Sequence, residues 1–120
     1  MWLLMGSDRT TDRVFFALSH VARRRILDLL SQSPGMGVKS LASHFEMSRI
    51  AVMKHLDVLE EAELVISRKV GRTRQLFFNL APIQSIYDRW STRYGSFWAE
   101  QVVDIKSRVE SRKKGNSKRA

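Results

Sequence analysis

The chemistry this chain can offer lies in cations and hydroxyls. One group is Ser48, Arg49, Ile50, Lys54 and His55, which lead or flank a stretch of apolar residues at helical spacing. Arginine or lysine at Arg49 and Lys54 suits the acceptor pair on a guanine edge, and a hydroxyl at Ser48 suits a phosphate oxygen. A second group lies between Leu64 and Leu80: Arg68, Lys69, Arg72 and Arg74, with no acid among them. Charge alone leaves two readings of such a run, a solvated face or a polyanion contact. Position in the fold decides between them.

Other chemistries are poorly served. The absence of Cys removes disulfides, thiolate metal sites, iron–sulfur clusters and cysteine nucleophiles. His20, His44 and His55 are separated by 24 and 11 residues, so none forms the i, i+4 pair of a helical metal site. Gly35-Met36-Gly37 and Val70-Gly71-Arg72 read as turns rather than phosphate-cradling loops, and no serine sits in a nucleophile elbow. Glu60, Glu61 and Glu63 cluster where a helix ends, which solvation explains. Neither a catalytic centre, a cofactor nor a bound metal is expected.

Overall charge agrees with an anionic partner. The 120 residues carry 21 Lys+Arg against 12 Asp+Glu, a net +9, and 43% are apolar, enough for a core. The segment 112–120 holds five of the bases and no acid, leaving a net +4 over 1–111; it is expected to be a disordered basic tail. No apolar run approaches the roughly 18 residues of a membrane span, and Trp2-Leu3-Leu4-Met5 is too short for a signal peptide. A cytoplasmic setting follows as an expectation.

The elements that must position these side chains can be read from periodicity. Thr10, Thr11 and Asp12 are good caps for a short helix through Val14 and Leu18, after an extension over 1–9. Ser19 is expected to cap a second helix, with Val21, Ile26, Leu27, Leu29 and Leu30 apolar and Arg23, Arg24 and Arg25 outside. Ser33-Pro34-Gly35 ends it. A third helix spans Val38 to Phe45, and Ser48 caps a fourth to about Ala62, with Val52, Met53, Leu56 and Leu59 inward. The period then drops to two, giving a hairpin that turns at Gly71-Arg72. From Pro82 a last helix of about 28 residues, roughly 42 Å long, carries Trp90, Tyr94, Phe97, Trp98, Val102 and Ile105.

Two short helices joined by a tight turn and followed by a basic hairpin fit a duplex: the second helix enters the major groove and the hairpin lies alongside. The fold expected is mainly α with a small β-hairpin, a winged helix-turn-helix over 10–81 and a long C-terminal helix over 82–111. That helix holds more apolar surface than so small a domain covers. It is expected to pair with a second copy, with Phe15 and Phe16 contributing.

Specific residues carry a resemblance. Ala17-Leu18-Ser19-His20, Arg24-Arg25-Ile26-Leu27, Leu41-Ala42, Met47-Ser48, Val52, Lys54-His55-Leu56, Leu59, Ala62, Leu64-Val65 and Val70-Gly71-Arg72 resemble the ArsR/SmtB family of winged helix-turn-helix repressors over residues 10–80. The resemblance implies a dimeric bacterial transcriptional regulator. It places Ser48, Arg49, Lys54 and His55 on the recognition helix and Arg72 and Arg74 on the wing. Three departures stand out. Val21 replaces a common Pro. Glu63 replaces a usual Gly, where a left-handed backbone costs about 1 kcal/mol. The metal-binding Cys and His of the family's founders are missing.

The expectation is therefore a homodimeric repressor of double-stranded DNA that reads an inverted repeat, with an apolar effector of unknown identity conceivable beside the aromatic helix. The rivals are a sequence-independent architectural or RNA-binding protein, and an adaptor that docks a protein through its aromatic helix.

Overall fold

A computed structural model describes the backbone of residues 2–91 and 95–119, and the side chains of 8–91 and 99–113. Two compact units emerge, residues 1–84 and 85–120. The first contains α1 (Trp2–Leu18), α2 (Val21–Gln32), β1 (Met36–Gly37), α3 (Val38–Ala42), α4 (Arg49–Glu61), β2 (Val65–Val70) and β3 (Thr73–Phe78). Helix α5 (Ala81–Ser91) begins there and runs into the second unit, which holds α6 (Gly95–Arg119). No helix of the described residues is long and apolar enough to cross a membrane.

The core of the first unit is aliphatic. Val14 and Ala17 of α1, Ile26, Leu27 and Leu30 of α2, Leu41 of α3, and Val52, Leu56 and Leu59 of α4 are all buried against Leu64, Val65 and Leu76. In α4 the inward positions 52, 56 and 59 recur every three to four residues, which keeps one stripe on the core and frees the opposite one.

Several boundaries differ from expectation. Helix α1 starts at Trp2, so Thr10, Thr11 and Asp12 lie within it rather than capping it. Between Trp2 and Thr10, Gly6, Ser7 and Asp8 are the weaker helix formers, and so short a run does not stop a helix anchored by burial further along. The cap of α2 is His20, whose Nδ1 accepts from the Ala22 N–H at 3.0 Å; Ser19 instead donates its hydroxyl to Phe16 O. Val21 takes the first helical position, so the missing proline leaves the helix start in place. Helix α3 stops at Ala42, and α6 continues as helix through Arg119, where a disordered tail was expected.

The sheet has three strands, in the order β1-β3-β2. Sequence periodicity shows the hairpin but not β1, which pairs Met36 with Leu76 and Gly37 with Gln75. The hairpin closes at Gly71-Arg72, with Val70 opposite Thr73 and Gly71 at φ 62°. Glu63 adopts φ 60°, the left-handed backbone its position calls for. Its N–H bonds to Glu60 O and that of Leu64 to Leu59 O, both at 2.9 Å, a Schellman ending for α4. Asn79 Nδ2 donates to Glu63 O at 2.9 Å and holds the strained residue to the strand.

Candidate nucleic-acid interface

The start of α4 is built as expected. Ser48 has extended backbone, and its Oγ accepts from the Ala51 N–H at 3.1 Å. The hydroxyl proton is left to donate outward, a disposition that suits a phosphate oxygen at the positive end of a helix. Arg49, Ile50 and Lys54 are exposed, Ile50 by 71%. An isoleucine so exposed at a helix start has no core role. Asp57 occupies the same outer stripe one turn beyond Lys54, which confines the anion-attracting part of α4 to its first half.

His55 departs from expectation. Its half-buried ring lies 4.5 Å from that of His20, and its Nδ1 is 3.2 Å from Arg23 Nη1. A guanidinium only donates, so Nδ1 must accept there. Burial first, then the positive fields of His20 and Arg23, hold the His55 imidazole below the usual histidine range. The histidines therefore are not all isolated: the fold brings His20 against His55 from 35 positions away along the chain. Among the described residues no three metal-ligating side chains come together.

Arg23 itself, expected outside α2, is buried at 7% exposure. It donates Nε–H to Ala17 O at 2.8 Å and Nη2–H to Phe16 O at 3.0 Å, and its guanidinium lies 5.1 Å from the Phe16 ring centroid. One side chain thus satisfies the open carbonyls at the end of α1 and reaches α4. The sequence did hold a signal. Positions 23, 26, 27 and 30 fall at i, i+3, i+4 and i+7, the buried stripe of α2.

The wing divides its cations. Directly opposed residues share a face, so Lys69 and Arg74 stand with the buried Val65 and Leu76, whereas Arg68 and Gln75 stand on the other side. Arg74 is ion-paired to Glu60 and fastens the wing to α4. Arg68, Lys69 and Arg72 are exposed. Thr73 Oγ1 donates to Val70 O at 2.8 Å and stiffens the turn that carries Arg72.

Between the wing and the helix pair lies a cleft of about 340 Å³, lined by Gly37, Val38, Lys39, Arg49, Met53, Arg72, Thr73 and Arg74. It brings Arg49 and Arg72 together, as the sequence suggested, and adds Lys39, which sequence reasoning passed over. A lone lysine on a five-residue helix carries no periodic signal.

For the aromatic candidates the structure is selective. Phe15 and Phe16 are exposed by 47% and 62%, and Trp90, Val102 and Ile105 by 59%, 63% and 59%. Tyr94 and the side chains of Phe97 and Trp98 lie outside the described residues.

A capped, outward-facing helix, its partner helix and a cation-bearing hairpin on one side of a small α/β core define a winged helix-turn-helix DNA-binding protein. Comparison with known proteins places it further. The family described as "Bacterial regulatory protein, arsR family" matches residues 20–67. The HTH-type transcriptional regulator Rv2034 of Mycobacterium tuberculosis is 36% identical over 104 residues, which cover 83% of this chain and 94% of that one. The ArsR-like transcriptional regulator from Rhodococcus sp. RHA1 is 33% identical with a TM-score of 0.65, covering 85% of this chain and 94% of its own. The homodimeric winged helix-turn-helix domain of Mb0332 from Mycobacterium bovis, described as a possible ArsR-family regulator, is 26% identical with a TM-score of 0.55, covering 67% and 80%. The chain belongs to the ArsR family of bacterial transcriptional regulators.

Proposed function

We propose that this regulator is a cytoplasmic homodimer that binds an inverted-repeat operator and represses by occupying it, with no catalytic step. The observation that carries the reading is the first half of α4. Ser48, Arg49, Ile50 and Lys54 stand free of the core at a helix start, beside a wing whose Lys69 and Arg72 are exposed. Ile50 and Lys54 are the base-facing pair, while Ser48 and the wing cations approach the backbone. His55 and Arg74 act from behind, fixing α4 and the wing.

Support for the dimer comes from each unit separately. In the first, Phe15 and Phe16 are exposed apolar rings on α1. In the second, Val102, Ile105 and Val109 are exposed at steps of three and four on α6, flanked by the Asp104–Arg108 and Lys106–Glu110 pairs. Such a stripe suits a symmetry mate, and the Mb0332 domain is a homodimer.

The test is selection of sites from a random duplex library, followed by titration at two salt concentrations and sizing by light scattering. We expect a two-subunit complex and a preference of about a thousandfold or more over scrambled DNA. Lys54→Ala should relax preference at one position per half-site, worth about 1–3 kcal/mol. Binding that falls equally for all sequences as salt rises would establish an architectural protein instead.

A further inference from the structure

We infer that the cleft between α3, α4 and the wing turn seats a single backbone phosphate of the duplex, held jointly by Lys39, Arg49 and Arg72. The inference rests on the operator-binding reading and goes further, assigning a fixed contact point and a residue, Lys39, outside the helix-and-wing set.

Three elements each send one cation to this cleft: Lys39 from α3, Arg49 from the first position of α4, and Arg72 from the hairpin turn. Among the described residues none of the three side chains pairs with a carboxylate. The fourth cation on its wall, Arg74, is already neutralised by Glu60 and serves as a strut. Converging like charges repel, and an anion between them removes that cost. The remaining wall is Gly37, Val38, Met53 and Thr73, the last with its hydroxyl donated to Val70 O, so it adds no carboxylate to compete with an anion.

A phosphodiester carries one negative charge, and its geometry accepts donors from several directions at once. A phosphate seated here would tie both helices of the helix-turn-helix and the wing to one point on one strand, fixing the register in which Ile50 and Lys54 meet base edges. Arg49 then positions rather than reads.

Shared use of one phosphate has a signature that separate contacts lack. Neutralising one phosphate contact changes the slope of log K against log salt by about 0.9, close to fourfold in affinity between 50 and 200 mM. Lys39→Ala and Arg72→Ala should each flatten the slope by about one. The double variant should also lose about one, because both removals empty the same seat. A scan with neutral methylphosphonate linkages should find one backbone position per half-site that matters to the native protein and has become silent in Lys39→Ala, Arg49→Ala and Arg72→Ala alike.

A double variant that loses about two slope units, silent positions that differ among the variants, or an unchanged slope for Lys39→Ala would each overturn the shared seat. Thermal unfolding of every variant, with Lys39→Gln and Arg72→Gln as milder replacements, keeps folding defects apart from contact loss. The seat binds backbone, so the slope comparison runs equally on scrambled duplex. A native protein with no site preference therefore overturns the operator reading alone.

Discussion

Arg23 and Arg72 are the same residue type put to opposite uses. At the junction of α1, α2 and α4, Arg23 is buried, with donors committed to two carbonyls and a histidine. At the wing turn, Arg72 is exposed beside Lys39 and Arg49, and no carboxylate among the described residues answers it. Arg74 lies between these extremes, inside the cleft wall yet paired with Glu60. Net charge counts all of them alike. Hydrogen bonding and burial sort the cations that hold this protein together from those available to a ligand.

The widest separation should come from Arg23→Ala. It strands the Ala17 and Phe16 carbonyls and His55 Nδ1, for a loss of about 2–4 kcal/mol readable as a large drop in the thermal midpoint. Lysine should not rescue it, because one ammonium cannot span three acceptors. A drop of only a degree or two would dissolve the distinction. Next come two neighbours on one hairpin. Arg74→Ala should cost about 0.5–1 kcal/mol of stability and leave the salt slope of DNA binding unchanged. Arg72→Ala should keep the thermal midpoint and flatten the slope; identical behaviour of the two would break the contrast.

The smallest effect concerns pH. The His55 imidazole titrates below its ordinary value in the folded chain, so the unfolded chain binds protons more readily. Stability from the neutral ring is complete above about pH 6.5 and is lost as pH falls through the folded value. His55→Gln, which keeps an acceptor for Arg23, should lessen the decline in thermal midpoint between pH 7.5 and 5.5. An unaltered decline would assign it to other groups.

Local rules are enough to read α4, its Ser48 cap and the two-residue turn at Gly71-Arg72, since each is decided within a few residues, whereas the left-handed Glu63 is legible only through the family resemblance that puts glycine there. What escaped was set by distance or brevity. His20 and His55 meet only after two helices pack, and no spacing rule reports such a meeting. Strand β1 is two residues long and forms because β3 offers it a partner. The start of α1 at Trp2 is hidden because Thr10, Thr11 and Asp12 look like caps wherever they stand. For the interface, residue types offer cations as candidates but cannot tell Arg74, bound to Glu60, from Arg72 two positions earlier.

The order β1-β3-β2 leaves β2 as an open border of the sheet, with Ile66 and Val70 exposed by 52% and 44%. An unguarded strand of that kind invites zippering onto another chain. Arg68 and Lys69 sit in the middle of it, where mutual repulsion keeps two such borders from meeting. Proteins in which both are neutralised should therefore become sticky toward one another before they become poor partners for a nucleic acid.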